Sequence, residues 1–82
     1  MFVMNNYLGT LTLSGNTTVN NNTAADGGGV GNYFGPMTLS GNATVNNNTA
    51  TRGGGIYNVS GTLNNCNAGG NVFGNTPNDI VG

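Results

Sequence analysis

The sequence repeats itself every 26 residues, and this internal repeat constrains the fold more than any other feature. Residues 9–34 align with residues 35–60 without a gap, with seventeen identities over the twenty-six positions. Residues 61–82 form a third, partial copy that needs one inserted residue, and residues 1–8 match the end of an earlier copy. Repeats of about 20–50 residues are typical of proteins that stack one structural unit on the next. We therefore interpret residues 1–82 as a single repeat segment.

Each copy contains three short segments that we expect to be extended. In the first full copy these are residues 10–14, 17–21 and 29–33, with a turn predicted near residues 22–26. The first segment alternates apolar and polar side chains, which is typical of a strand with one buried face. One copy has too few apolar residues to bury a core alone, so it must lie on the next copy.

Stacking these copies predicts an all-β fold, a right-handed parallel β-helix (β-solenoid) of about three coils of 26 residues. Helix is not expected, because the chain is rich in Asn, Gly and Thr, which are poor helix formers. Each strand would pair with its equivalent one coil away, so equivalent side chains form rows along the axis. The predicted interior rows are Leu11, Met37 and Leu63; Leu13 and Leu39; Val19, Val45 and Val72; and Met4, Val30 and Ile56.

Asparagines recur at equivalent positions near the expected corners of the coils. Asn tolerates left-handed backbone, and stacked Asn side chains can hydrogen-bond to one another along the axis. Asn22, Asn48 and Asn75 are the first candidates for such a ladder. A second candidate ladder consists of Asn6, Asn32 and Asn58.

The three charged residues also fall at equivalent positions. Asp26 aligns with Arg52, and Asp79 follows once the inserted residue is allowed for. We therefore predict a charge ladder in which Arg52 lies between two carboxylates at one corner. A pair of carboxyl groups about 5–9.5 Å apart could instead cleave a glycosidic bond. An intervening Arg would keep both carboxyls ionised, so the structural interpretation is preferred.

Composition excludes several classes of function. The chain has a net charge of -1, with one basic residue, no His and one Cys. Nucleic-acid binding is not expected without a basic patch. No cofactor or metal site is expected, and no nucleophilic triad can be assembled without His. No apolar run is long enough for a membrane-spanning helix. Cys66 aligns with Ser14 and Ser40 and is interpreted as a small interior filler.

Aromatic residues recur at the end of the third segment of each copy. Tyr7 aligns with Tyr33, and the two rings are expected to stack near the surface beside Leu8 and Phe34. Such a group could be a sugar-binding platform. It could also simply cover a corner of the coil, which is the interpretation we prefer.

Two short motifs resemble the repeats of the polymorphic outer-membrane protein family and related right-handed parallel β-helix surface proteins. That family carries Phe-x-x-Asn followed by Gly-Gly-Ala-(Ile/Val). Here Val replaces Phe in the first motif, and Gly replaces Ala in the second. The matching segments are Val19–Asn22 and Val45–Asn48 for the first motif, and Gly27–Val30 and Gly53–Ile56 for the second.

The resemblance implies secretion, an extracellular or cell-surface location with the outer membrane reached through a region outside this sequence, and a role in adhesion. The expected function is a non-catalytic structural and adhesive module. Expected partners are further coils of the parent protein or other copies of itself, and host or matrix glycans or surface proteins. Two alternatives stay open. One is a fragment of a secreted polysaccharide lyase or hydrolase whose catalytic loops lie elsewhere, and the other is a self-stacking filament subunit. The departure from the repeat near Pro77 and Asp79 suggests a C-terminal cap.

Overall fold

The structure, a computed structural model, describes residues 4–82 as twelve short strands joined by turns, and this part of the chain contains no helix. Each strand has two to four residues, which leaves room for three or four strands in every coil. The strands are β1 Met4–Tyr7, β2 Leu11–Leu13, β3 Thr18–Asn20, β4 Thr23–Asp26, β5 Val30–Tyr33, β6 Pro36–Leu39, β7 Thr44–Asn46, β8 Thr49–Arg52, β9 Ile56–Val59, β10 Thr62–Asn64, β11 Val72–Phe73 and β12 Ile80–Val81.

These strands stack in four sheets that run along the solenoid. Sheet A has the order β1-β5-β9-β12, sheet B β2-β6-β10, sheet C β3-β7-β11 and sheet D β4-β8. Every pairing is parallel. Partners in the two full copies lie one repeat apart, as Leu11 with Met37 and Val19 with Val45. The parallel β-solenoid of about three coils is therefore confirmed, while its right-handed sense stays a prediction that rests on the general preference of parallel crossovers.

Each full coil contains one strand more than the sequence predicts. The turn predicted at residues 22–26 is wrong, because Thr23–Asp26 is strand β4 and pairs with β8. No residue of β4 is fully buried. Its inward positions include Ala24, which pairs with Ala50. Alanine side chains are too small to produce the strong apolar alternation by which strands are recognised in a sequence.

The core consists of rows of apolar side chains that run through all coils. In the middle coil Met37, Val45 and Ile56 are completely buried, because a coil covers them on both sides. Leu11 and Leu63 pair with Met37 from opposite sides and are half-buried. Full burial of such a side chain typically stabilises a fold by about 1.5–3 kcal/mol. The middle coil therefore contributes most of the apolar stabilisation.

The third coil follows the repeat at first and then becomes shorter. Val72 pairs with Val45, and Thr76 forms a bridge with Thr49, both with the one inserted residue. Ile80 then pairs with Ile56. The third coil thus needs only four residues from Thr76 to Ile80 to cover the path that takes seven residues in the second coil. The missing residues belong to the corner that carries Arg52 in the second coil.

Two glycines allow the coils to approach closely at the corner before sheet A. A Cβ atom on Gly29 would lie 2.6 Å from Cγ1 of Val45 and 2.8 Å from the carbonyl oxygen of Gly55. A Cβ atom on Gly55 would lie 2.7 Å from Nδ2 of Asn75. Such contacts are too short for a real Cβ, so any side chain at these positions would force the coils apart.

This corner gives a direct test of coil packing. We expect Gly55→Ala to lower the free energy of unfolding by about 2–3 kcal/mol, because its methyl group would overlap the next coil. Gly15→Ala is the control, since a Cβ there meets nothing within 4 Å and only the positive φ of 68° is strained. That strain should cost about 1 kcal/mol. Urea unfolding of both variants measures the difference, and a larger loss for Gly15→Ala would contradict the packing argument.

Candidate functional site

The inner asparagine ladder runs through the buried interior of all three coils. The backbone N and the side-chain Nδ2 of Asn22 both donate to Oδ1 of Asn48, at 3.0 and 3.1 Å. Asn48 donates in the same way to Oδ1 of Asn75, at 2.9 and 3.0 Å. All three side chains are buried. The predicted ladder is therefore present, and in every hydrogen bond between two of these asparagines the donor belongs to the earlier coil.

The side-chain amides of Asn48 and Asn75 also donate to the preceding coil. Nδ2 of Asn48 donates to the carbonyl oxygen of Val19 at 3.0 Å, and Nδ2 of Asn75 donates to that of Val45 at 3.1 Å. One side chain thus bonds to the coil before it and the coil after it. Because a buried amide without partners is costly, this double contact ties each coil to one register.

A second ladder stands at the end of sheet A. Nδ2 of Asn6 donates to Oδ1 of Asn32, and Nδ2 of Asn32 donates to Oδ1 of Asn58, both at 2.8 Å. Each amide also donates to the carbonyl oxygen three residues later in its own coil, as Asn32 does to Gly35 at 2.8 Å. The side chain therefore closes the corner of its own coil and joins that corner to the next one.

The charged corner contains a pair rather than the predicted ladder of three. Nε of Arg52 donates to Oδ1 of Asp26 at 2.8 Å, and Nη2 donates to Oδ2 at 3.1 Å. The guanidinium also lies 5.2 Å from the centre of the Tyr57 ring. The hydrogen bond to Asp26, followed by the charge of Asp26, raises the pKa of Arg52 above its ordinary value. The side chain of Arg52 is 61% exposed, so solvent screening keeps the contribution of this pair to stability small.

Asp79, the predicted third member of the charge ladder, has different partners, and this corrects the prediction. Its Oδ1 accepts from the backbone N and from Nδ2 of Asn75, both at 3.0 Å. These are the two donors that every earlier Asn directs to the next coil. The shortened third coil lacks the corner equivalent to Arg52, so it brings Asp79 to the end of the asparagine ladder. A carboxylate oxygen is a suitable terminus because it only accepts hydrogen bonds.

The aromatic rings meet across the coils in other pairs than predicted. Tyr7 and Tyr33 are register partners in sheet A. The ring of Tyr7, however, contacts that of Phe34 at 6.0 Å with an angle of 87° between the planes, and the ring of Tyr33 contacts that of Tyr57 at 6.0 Å. Tyr7, Leu8 and Phe34 are 69%, 66% and 50% exposed. We call these three residues the aromatic edge.

The single cysteine lies beside the core. Cys66 is half-buried and packs against the apolar cluster. Its Sγ donates to the carbonyl oxygen of Asn64 at 3.4 Å. Burial raises the pKa of the Cys66 thiol above its ordinary value, although hydrogen bonding with the backbone of Leu39 and Asn64 opposes this shift. The thiol is therefore held protonated, as a small interior filler would be.

Two functional contacts could not be recognised in the sequence. The capping role of Asp79 depends on a shortening of the third coil that repeat alignment with one insertion does not reveal. Its only local signal is the spacing of four residues from Asn75. The contact of Arg52 with Tyr57 joins two strands of adjacent sheets, sheet D and sheet A, and no periodicity in the sequence links these positions.

Residues 4–82 contain no group of three or more His, Cys, Asp or Glu side chains that could hold a metal ion. Across the same residues, no helix has the length and apolar character needed to cross a membrane. No protein-family model matches the chain, and comparisons with curated proteins and with solved structures found no significant match.

The inner ladder gives a second test. We expect Asn48→Ala to lower the free energy of unfolding by about 3 kcal/mol or more, because it leaves the donors of Asn22 and the carbonyl oxygen of Val19 without partners inside the core. Asn42→Ala is the matched control, since the exposed Nδ2 of Asn42 donates only to Oδ1 of Asn16. That change should cost less than about 0.5 kcal/mol. Equal losses in urea unfolding would show that burial of the ladder is unimportant.

The thiol gives a test that depends on pH. We expect Cys66 to react with iodoacetamide at about pH 8 more slowly in the native chain than in the unfolded chain, because its raised pKa leaves less thiolate. The unfolded thiol ionises first as pH rises, so the folded state should also lose stability above about pH 9. A Cys66→Ser variant controls for other titrating groups. Equal rates in the native and unfolded chains would contradict the burial of the thiol.

Proposed function

We propose that this chain is a non-catalytic structural and adhesive module of an extracellular or cell-surface β-solenoid protein. The resemblance to polymorphic outer-membrane protein repeats supports this proposal, since the two motifs that carry it have structural roles here. The Asn of the first motif provides Asn22 and Asn48 of the buried ladder. The second Gly of the second motif is Gly28 or Gly54, where a Cβ atom would overlap the backbone of the next coil.

The observation that carries the adhesive part of the proposal is the aromatic edge. Three large apolar side chains of consecutive coils are exposed together at the end of sheet A. Aromatic rings with one exposed face bind sugars and apolar protein surfaces, because they offer large contact area at a small entropic cost. Tyr33, Tyr57 and Arg52 add hydrogen-bonding groups and a cation on or beside the outer face of the same sheet. We infer that glycans of a host or matrix are the ligands.

The contacts of the two carboxylates favour this proposal over a hydrolase or lyase fragment. General acid and base catalysis on a glycosidic bond needs two carboxyl groups that face one substrate. Asp26 is instead bound by the guanidinium of Arg52, and Asp79 by the amide groups of Asn75. Each carboxylate has a structural partner, so neither is directed at a shared space.

Glycan binding is tested by removing the aromatic edge. We expect the double variant Tyr7→Ala with Phe34→Ala to bind a panel of immobilised glycans at least about tenfold more weakly than the original chain. Phe73→Ala is the matched control, because Phe73 is also an exposed aromatic residue but belongs to sheet C. Circular dichroism should show the same β content in all three proteins.

Two results would overturn the proposal. One is a chain that binds no glycan and no matrix protein at any concentration at which it stays folded. The other is an equal loss of binding in the Phe73→Ala control, which would place the ligand elsewhere on the solenoid. Release of reducing sugar from any of the glycans would instead identify an enzyme.

A further inference from the structure

The N-terminal end of the buried asparagine ladder is the side-chain oxygen of Asn22. Asn22 is only 2% exposed, and its buried Oδ1 has no hydrogen-bond partner among residues 4–82. Asn46 has a similar oxygen, but Asn46 belongs to the middle coil, which has coils on both sides. Asn22 belongs to the first coil. Buried polar atoms are almost always paired in folded proteins, so the oxygen of Asn22 indicates a missing donor.

The polarity of the ladder shows on which side this donor must lie. In the first two coils the side-chain amide donates to the Asn of the next coil, so the side-chain oxygens of Asn48 and Asn75 each accept from the coil before. By the same pattern, Oδ1 of Asn22 is directed toward a coil preceding the first one. The donors that would satisfy it are the backbone N and Nδ2 of an Asn, because these groups satisfy Asn48 and Asn75.

Other features of the N-terminal end also fit a preceding coil. A cavity of about 290 Å3 opens there between Met4, Leu13, Val19 and Asn22. In the described residues, β2, β3 and β4 each pair with a strand on one side only. In the second coil, the backbone N of Thr44 and Thr49 donate to Thr17 and Asn22 of the coil before, at 3.0 and 2.8 Å. The equivalent amides in the first coil belong to Thr18 and Thr23.

The C-terminal end of the ladder differs from the N-terminal end, because Oδ1 of Asp79 accepts from both the backbone N and the Nδ2 of Asn75. A second copy stacked head to tail would therefore bring no free ladder donor to Asn22. Two copies meeting at their N-terminal ends would bring their strands together in opposite directions, so the parallel register that places a ladder Asn on Oδ1 of Asn22 would be lost. Neither arrangement satisfies the buried oxygen, whereas a further coil of the same repeat does.

We propose that the N-terminal end of this solenoid is an assembly face for a further coil of the parent solenoid. This coil stacks in parallel register, fills the apolar cavity and donates from its ladder Asn to Oδ1 of Asn22. At the C-terminal end the ladder is closed by Asp79, which accepts from both ladder donors of Asn75. This inference concerns a partner and does not rest on glycan binding.

The test adds such a coil to the full chain. A copy of residues 9–26 placed directly before Met1 continues the repeat in register, since residues 1–8 align with residues 27–34. We expect amide hydrogen exchange of Thr18 and Thr23 to slow at least about tenfold, as new hydrogen bonds to the added coil form. The matched control carries the same extension with its copied ladder Asn replaced by Leu, and most of this protection should then be lost.

A C-terminal extension is the second control. A copy of residues 59–82 added after Gly82 should leave the urea midpoint unchanged, whereas the N-terminal extension should raise it. The proposal is overturned if both extensions stabilise the chain equally, or if the added N-terminal coil stays unstructured. It is also overturned if the original chain is a dimer by sedimentation equilibrium with Thr18 and Thr23 already protected, because a second copy would then occupy the face.

Discussion

The hydrogen bonds between Asn22, Asn48 and Asn75 are the interaction on which the rest of the solenoid depends. These amides lie inside a core that has few apolar side chains, and a buried amide is tolerated only when its donors and acceptors are paired. Pairing occurs only if the asparagines of successive coils coincide. The ladder therefore imposes one register on the coils. Apolar rows alone would specify the register less strictly. The side chains of valine and leucine make no hydrogen bonds, so a shift of one coil against the next would break none of theirs.

The same ladder gives the solenoid a direction. A row of valines is alike at both ends, whereas a row of amides ends in an acceptor on one side and in donors on the other. Asp79 accepts from the donors at the C-terminal end, and the oxygen of Asn22 is left at the N-terminal end. The two ends consequently have different chemistry, although the repeats between them are nearly identical.

The parts of this structure that sequence reasoning predicts are those determined by equivalence between copies. A repeat identifies which residues stack, so the partners of Val45 and of Asn48 follow directly from the alignment. It does not show where the chain bends within a coil, and strand β4 was missed because Ala24 gives too weak an apolar signal. It also fails where the repeat ends. The position of Asp79 depends on a shorter path in the third coil, and that path is selected by the pairing of Ile80 with Ile56.

The repeat also shows which surface positions differ from coil to coil. Positions that are identical in both copies present the same group at every coil, and most of them form the core, the ladders or the close contacts between coils. Other positions differ between the two full copies. Several of these positions lie on the outer face of sheet A and at the adjoining corners. Given as the residue of the first copy and its equivalent in the second, they are Asp26 and Arg52, Gly31 and Tyr57, Tyr33 and Val59, and Phe34 and Ser60. This face can vary without disturbing the buried ladder, because none of its side chains takes part in the hydrogen bonds between Asn22, Asn48 and Asn75.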